Sequence, residues 1–324
     1  MIIVTGGAGF IGSALVWKLN NEGIDNILIV DHLGSSDKWK NLVSRRFEDY
    51  LHKSRFLEMV LEDRVGGDIE AVVHLGACSS TVERDADYLM ENNYRYSRIL
   101  AEWALRRKIR FIYASSAATY GDGSQGFSDV NRVSAGLRPI NMYGYSKQLF
   151  DRWVLSNGLD EHVAGIKFFN VFGPNEYHKG EMRSVVHKAY GQVRDRGRVE
   201  LFKSYRDGIE HGEQKRDFIY VKDCVDVLWW LIERRNVRGI FNLGTGRARS
   251  WNDLARAVFS AAGKPPVIDY IDMPESIRAQ YQYFTEASME KLRSAGYEKP
   301  FTSLEDAVTD YVSNYLAGGQ RCLE

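Results

Sequence analysis

The chain has 324 residues, 44% of them hydrophobic, which supplies a sizeable core and excludes a disordered polymer. Lysine plus arginine and aspartate plus glutamate both number 43, so there is no basic surplus of the kind a nucleic-acid binder needs. No apolar run approaches the roughly 18 residues that span a bilayer, so no membrane partner is expected.

Met1–Val4 reads as a short apolar strand running into a glycine-rich turn. It lacks the basic start of a signal peptide, and the expected location is the cytoplasm. Phe10–Asn21 reads as a helix, Asn26–Val30 and Ala71–Leu75 as strands, and Asp87–Arg107 as a helix. Arg110–Ala114 is the next strand, Tyr143–Ser156 the next helix, and Val163–Phe169 the next strand. Such alternation implies βαβ units and an α/β, doubly wound parallel sheet. The second half is less regular. Lys203–Arg216 is charged and reads as a loop, Asp217–Val221 as a short strand, and Asp223–Glu233 as a helix. Ile240–Leu243 reads as a strand, and Ser250–Ala262 as a helix with Ser250 at its N-cap. The expected organisation is a sheet domain over 1–170 with a returning segment near 216–246. Residues 171–215 and 247–324 would form a smaller C-terminal α/β lobe that binds substrate. Cys78, Cys224 and Cys322 are far apart with no Cys-x-x-Cys, and the seven histidines show no His-Glu-x-x-His, so no metal site is expected.

The turn after the first strand carries two overlapping glycine patterns. Gly7, Gly9 and Gly12 satisfy G-x-G-x-x-G, and Gly6, Gly9 and Gly12 satisfy G-x-x-G-x-x-G. Glycines there leave room for a pyrophosphate, whose charge the helix N-terminus favours. Asp31 ends the next strand, about twenty residues on, where a ribose-binding acid belongs. Asp31 alone favours NAD, because it repels a 2′-phosphate. Lys38 and Lys53 lie downstream and offset that charge, unless they are ordinary surface lysines.

Tyr143-Gly144-Tyr145-Ser146-Lys147 places a tyrosine and a lysine four residues apart, on one helix face. A free tyrosine, with a pKa of about 10, is a poor base at neutral pH. A nearby lysine charge stabilises the phenolate, which can then take a hydroxyl proton. Alone, this spacing is commonly a surface pair. Here Ser116 follows the strand Arg110–Ala114, at the end of a strand where α/β folds bind ligands.

The glycine turn, Ser116, Tyr143, Lys147 and the run Arg216–Asp223 resemble the extended short-chain dehydrogenase/reductase family, whose members act on sugar nucleotides. The resemblance implies a Rossmann fold. Ala117 and Ala118 stand where the 4,6-dehydratases carry an Asp-Glu pair, which excludes that reaction. Gly76–Thr81, Tyr113–Gly121, Phe169–Glu176, His178-Lys179-Gly180 and Tyr281–Thr285 resemble the branch that epimerises ADP-heptoses at C6″ for lipopolysaccharide core synthesis.

What this likeness implies is specific. NADP, one per subunit and tightly bound, would be held by Gly6, Gly9, Phe10, Ile11, Gly12, Asp31, His32, Lys38 and Lys53. Leu75, Gly76, Ala77, Cys78, Ser79 and Asn92 would add to that site, as would Tyr143, Lys147, Val171 and Lys179. Ser116, Asn170, Glu181, Lys188, Phe202, Arg216 and Tyr281 would meet substrate. Tyr143, Lys147, Ser116 and Lys179 would be catalytic. Lys179 would serve as a second proton-handling group after the exocyclic bond turns; its plainer reading is a loop lysine near a diphosphate. Arg216 suits a diphosphate, against an alternative ion pair with Asp217 or Glu213. The assembly implied is a homo-oligomer of five. His32, Leu75 and Glu181 depart from the branch's usual residues. Rival readings are a UDP-galactose 4-epimerase, an enzyme using NAD, and a non-catalytic NADP-binding regulator.

Overall fold

The computed structural model describes residues 1–278 and 281–324. The first half contains β1 (Ile2–Thr5), α1 (Phe10–Asn21), β2 (Ile27–Asp31), β3 (Asp49–His52), α2 (Lys53–Leu61) and β4 (Ala71–His74). Then come α3 (Ala86–Leu89), α4 (Tyr96–Arg106), β5 (Arg110–Ser116), α5 (Asn131–Gly136), α6 (Met142–Ser156) and β6 (Val163–Phe168). The second half contains β7 (Asn170–Phe172), α7 (Val185–Arg196), β8 (Val199–Phe202), β9 (Lys215–Tyr220), α8 (Val221–Glu233) and β10 (Gly239–Leu243). It continues through β11 (Ala248–Ser250), α9 (Trp251–Ala261) and β12 (Ile268–Ile271) to shorter helices at Glu275–Arg278, Glu290–Ser294 and Leu304–Asp310.

Among the described residues the main sheet has seven strands in the order β10-β6-β5-β4-β1-β2-β3, and every pairing is parallel. The expected doubly wound sheet is therefore present. Apart from the edge strand β3, its strands are buried on both faces, and alternate residues serve opposite cores. Ile2 and Val4 of β1 and Ile27 and Ile29 of β2 join the core shared with α1, α8 and α9. Ile3, Leu28 and Val30 join the other, with Phe56, Trp103 and Phe150. The chain leaves β1 toward β2 and later returns to β4 on the other side of β1. That reversal opens a crevice at the carboxyl ends of β1 and β4.

Several boundaries differ from expectation. β5 runs on to Ser116, so that serine is the last residue of the strand. The long helix expected over 87–107 is α3 and α4 joined by a widened π-type turn at Met90–Arg95. This turn aims Asn93 back at the loop after β4: its Oδ1 accepts from the Cys78 N–H at 2.8 Å, and its Nδ2 donates to Ser146 Oγ at 3.0 Å. Within 216–246, β10 joins the main sheet beside β6 and α8 packs on α1. β9 starts earlier than expected, at Lys215, and pairs with β7 and β11 in a separate sheet. β8 and β12 form a two-stranded parallel ribbon. Ser250 caps α9, with Asp253 completing a capping box.

A buried histidine ties β1 and β4 to α4. Thr5 Oγ1 lies 2.6 Å from His74 Nδ1, and His74 Nε2 lies 2.8 Å from Ser97 Oγ. Ser97 donates onward to the Asn93 carbonyl, so His74 Nε2 carries the proton and Nδ1 accepts from Thr5. Burial, aided by the Lys147 charge, lowers the pKa of His74 to about 3. The unfolded chain binds a proton below about pH 6.5 that the folded chain refuses until about pH 3, so this histidine subtracts stability as pH falls through that window. Replacing His74 with Gln is expected to reduce the slope of unfolding free energy between pH 6 and pH 4 by about 1.4 kcal/mol per pH unit. Urea unfolding at several pH values measures this slope, and an unchanged slope would show that His74 titrates normally.

Candidate active site

A cavity of about 730 Å³ occupies the crevice at the carboxyl ends of the central strands. The turn after β1 forms its floor. Gly6 has φ +68°, and a Cβ there would sit 2.7 Å from the Gly76 nitrogen. A Cβ on Gly12 would sit 2.0 Å from the Gly6 carbonyl oxygen. Any side chain at either position would push apart the turn, α1 and the loop after β4. Gly6, Gly9 and Gly12 line the cavity, with Gly9 as the N-cap of α1. Of the two overlapping spacings, this three-residue repeat is the one that faces the space. The first-turn N–H groups of α1 have no carbonyl of their own helix to reach, which suits the turn to an anion.

Asp31 closes one end. Its Oδ2 accepts from the Ala8 N–H at 2.8 Å, and its Oδ1 accepts from the His32 N–H at 2.7 Å. The Lys38 ammonium is 2.5 Å from Oδ1. Lys53 donates to Asn92 Oδ1 at 2.6 Å, and burial together with the Lys38 charge lowers its pKa. Two lysines thus surround a carboxylate that one of them already neutralises. His32 Nδ1 lies 2.9 Å from Nε2 of His52.

At the other end, Tyr143, Lys147 and Ser116 line the same cavity. Asn141 caps α6 by accepting from the Gly144 N–H at 2.8 Å, which starts the helix just before Tyr143. Lys147 donates to the Ala114 carbonyl at 2.8 Å. Burial lowers its pKa to about 8, opposed by the charge of Asp151. Burial raises the pKa of Tyr143, and the neighbouring Ser116 hydroxyl pulls it back down. Behind this wall Asp151 and Lys167 form a fully buried ion pair at 2.5 Å. Asp151 also accepts from Tyr113 at 2.9 Å and from Ser115 at 2.6 Å.

Lys179 enters from the segment Tyr177–Met182, its ammonium 5.3 Å from the centre of the Phe10 ring. Burial lowers its pKa, and Glu176 opposes the shift. Glu176 is itself buried; it accepts from the Ser184 N–H at 2.5 Å, the Ser184 hydroxyl at 2.6 Å and Tyr311 at 3.0 Å.

All the positions expected to hold a dinucleotide line this one cavity, as do Ser116 and Asn170. Five expected substrate residues do not. Glu181 and Lys188 pair with each other at 3.3 Å and line a separate hollow of about 370 Å³. Phe202 is half-buried at the end of β8. Arg216 lies behind the cavity wall, its guanidinium 5.7 Å from the Trp251 ring and 5.3 Å from the Tyr281 ring. It donates to the carbonyls of Lys215 and Gln282, in place of the alternative pairing with Asp217 or Glu213. Tyr281 accepts from the Trp251 indole at 2.9 Å. Burial among aromatic rings and a pull toward backbone oxygens account for this inward placement of Arg216. His178, Arg183 and Trp251 line the cavity and were not among the expected residues. Arg183 precedes the N-cap Ser184 of α7, and Trp251 follows the N-cap Ser250 of α9, so the helix starts mark both.

The NAD dependent epimerase/dehydratase family model matches residues 2–244. The chain is 61% identical over 317 residues to the ADP-L-glycero-D-manno-heptose-6-epimerase of Nitratidesulfovibrio vulgaris strain DP4, covering 98% of each chain. It is 49% identical over 326 residues to the protein of the same name from Fusobacterium nucleatum subsp. nucleatum, again covering 98% of each. The crystal structure of Helicobacter pylori ADP-L-glycero-D-manno-heptose-6-epimerase is similar at a TM-score of 0.82 and 28% identity, covering 97% of this chain and 95% of that one.

The contact at Gly12 sets a direct test. The Gly12→Ala variant is expected to purify with roughly a tenth or less of the wild-type dinucleotide, because the added methyl group displaces the turn. Acid release and mass spectrometry measure the content, and wild-type occupancy would contradict the packing described.

Proposed function

The chain belongs to the NAD dependent epimerase/dehydratase family, and from that premise we propose that it interconverts ADP-D-glycero-β-D-manno-heptose and ADP-L-glycero-β-D-manno-heptose by transient oxidation at C6″. The observation that carries the proposal is that Tyr143 and Lys179, proton-handling groups from two different elements, line one cavity together with the glycine turn. The product would feed the heptose precursors of a lipopolysaccharide core. On this reading 1–170, with the returning α8 and β10, is the NADP-binding domain. Residues 171–215 and 247–324 are the substrate lobe. The enzyme works in the cytoplasm as a closed ring of five subunits.

NADP fits the residues present. Gly6, Gly9 and Gly12 leave room for its pyrophosphate, and Asp31 would hold the adenosine ribose. Lys38 and Lys53 favour a 2′-phosphate: Lys38 cancels the repulsion from Asp31, and an anion between the two lysines would offset the burial and the Lys38 charge that lower the Lys53 pKa. Phe10, Ile11, His32, Leu75–Ser79, Asn92 and Val171 complete the walls. A nicotinamide held there would supply a reversible hydride acceptor for C6″, so the reaction would have no net redox change.

The chain's own residues handle the protons. Tyr143, with Lys147 and Ser116 beside it, takes the proton of the C6″ hydroxyl as the ketone forms. Rotation about the exocyclic carbon–carbon bond turns the ketone over while the nucleotide stays in place. The oxygen then meets Lys179, which supplies the second proton; its lowered pKa brings the transfer closer to neutral pH. Asn170 orients the sugar. Arg183 meets the diphosphate at the cavity wall, and Arg216, with Tyr281, braces Trp251 from behind.

Proton NMR of the purified protein with ADP-D-glycero-β-D-manno-heptose, with no cofactor added, tests the proposal. The L-glycero epimer is expected to accumulate. Conversion should fall at least about 10²-fold in Lys179→Met, with NADP content unchanged. No conversion even with added NADP would overturn the substrate assignment, and near-normal turnover of Lys179→Met would remove Lys179 from the chemistry.

A further inference from the structure

Asn41 lies in the turn Asp37–Leu42 and is 3% exposed. Its Nδ2 is 3.0 Å from the carbonyl of Ala8, inside the glycine turn, and 3.1 Å from the carbonyl of Asn175. The same amide is 3.2 Å from Nδ1 of His178, next to Lys179. Its Oδ1 accepts from Cys322 at 3.4 Å. One buried side chain therefore touches the nucleotide cradle, the segment that carries Lys179 and the residues near 322.

Asn175 completes the arrangement from the other side. It is fully buried and has φ +77°, a left-handed conformation that asparagine tolerates better than most residues but that still costs energy. Its Nδ2 donates to Ser13 Oγ at 3.0 Å, and Ser13 in turn donates to the Gly9 carbonyl at 2.6 Å. Its Oδ1 accepts from the Leu323 N–H at 2.9 Å. The glycine turn is thus bonded to the start of the Lys179 segment by two separate routes. The far end of that segment is fixed by Glu176, which accepts from both polar groups of Ser184. Strained backbone held by surrounding bonds in this way marks a place where the fold specifies geometry at a cost.

We infer that Asn41 and Asn175 form a latch that holds the Lys179 segment in register with the glycine turn, so that the cofactor cradle and the second proton-handling group are built as one unit. Both are positioning residues: neither lines the cavity, and each acts through Lys179. The kinetic part of this inference rests on the role proposed above for Lys179; the structural part does not.

Hydrogen exchange on the NADP-bound enzyme tests the latch. In Asn41→Ala, amides within 177–183 are expected to exchange about tenfold faster or more, while α4 and α8 keep wild-type rates. The same variant should lose about tenfold or more in kcat, with KM for the ADP-heptose changing by less than about threefold. Asn175→Gly keeps the left-handed backbone accessible, removes the side-chain bonds and should show the same pattern. It decides the matter if Asn41→Ala does not fold. Unchanged exchange in 177–183 would overturn the latch, as would a uniform rise across the whole chain. If the wild-type enzyme does not turn over ADP-heptose, the functional reading fails, and the exchange data still decide whether the latch exists.

Discussion

Asp151 and Lys167 sit 2.5 Å apart with no exposure of either side chain. A buried pair of this kind is costly to strand: removing one partner typically destabilises a protein by about 3–5 kcal/mol. Here the pair is saturated, because Tyr113 and Ser115 also donate to Asp151 and Lys167 donates to Thr119. These residues belong to β5, the turn after it, β6 and α6, so those elements share a single register. Lys147 lies one helical turn before Asp151, and Tyr143 one turn before that. Their placement above the end of β5, where Ser116 stands, follows from a network that meets the cavity at Ser115.

The rest of the site works against ionisation in a controlled way. Burial lowers the pKa of Lys147 to about 8 and lowers that of Lys179, while it raises that of Tyr143. For the two lysines the shift is toward neutrality, where proton exchange is most effective; for Tyr143 it is away from neutrality, and the Ser116 hydroxyl opposes it. The counterweights are local: Asp151 acts on Lys147, Glu176 on Lys179 and Ser116 on Tyr143. Each counterweight comes from the element, or the neighbouring turn, that also fixes the position of its partner. Position and acidity are therefore set by the same contacts.

Local patterns carried much of the fold. α1 begins and ends as its periodicity predicts, and β1, β2, β4 and β6 lie within a residue or two of their apolar runs. β3 and β12 were hidden because they are half-exposed edge strands, Asp49–His52 and Ile268–Ile271, with no continuous apolar run. For α7 the signal is present in the spacing of Val186, Ala189 and Val193, which the strongly polar surroundings dilute. At the site, the glycine turn, Asp31, Ser116, Tyr143 and Lys147 were legible because each follows a strand end or a helix turn. The inward turn of Arg216, the Asp151–Lys167 pair and the Asn41–Asn175 bonds were not, since they join residues distant in sequence. No spacing rule links position 41 to position 175.

The central claim is that C6″ is oxidised and reduced within one closed site, with Tyr143 and Lys179 moving only the hydroxyl protons. Substrate deuterated at C6″ tests it most directly, in ordinary water, with the product read by mass spectrometry and NMR. The account predicts that the L-glycero product keeps its deuterium, because the hydrogen on carbon never exchanges with solvent. Loss of the label to water would contradict it, and would mean that the carbon is inverted by proton removal and return.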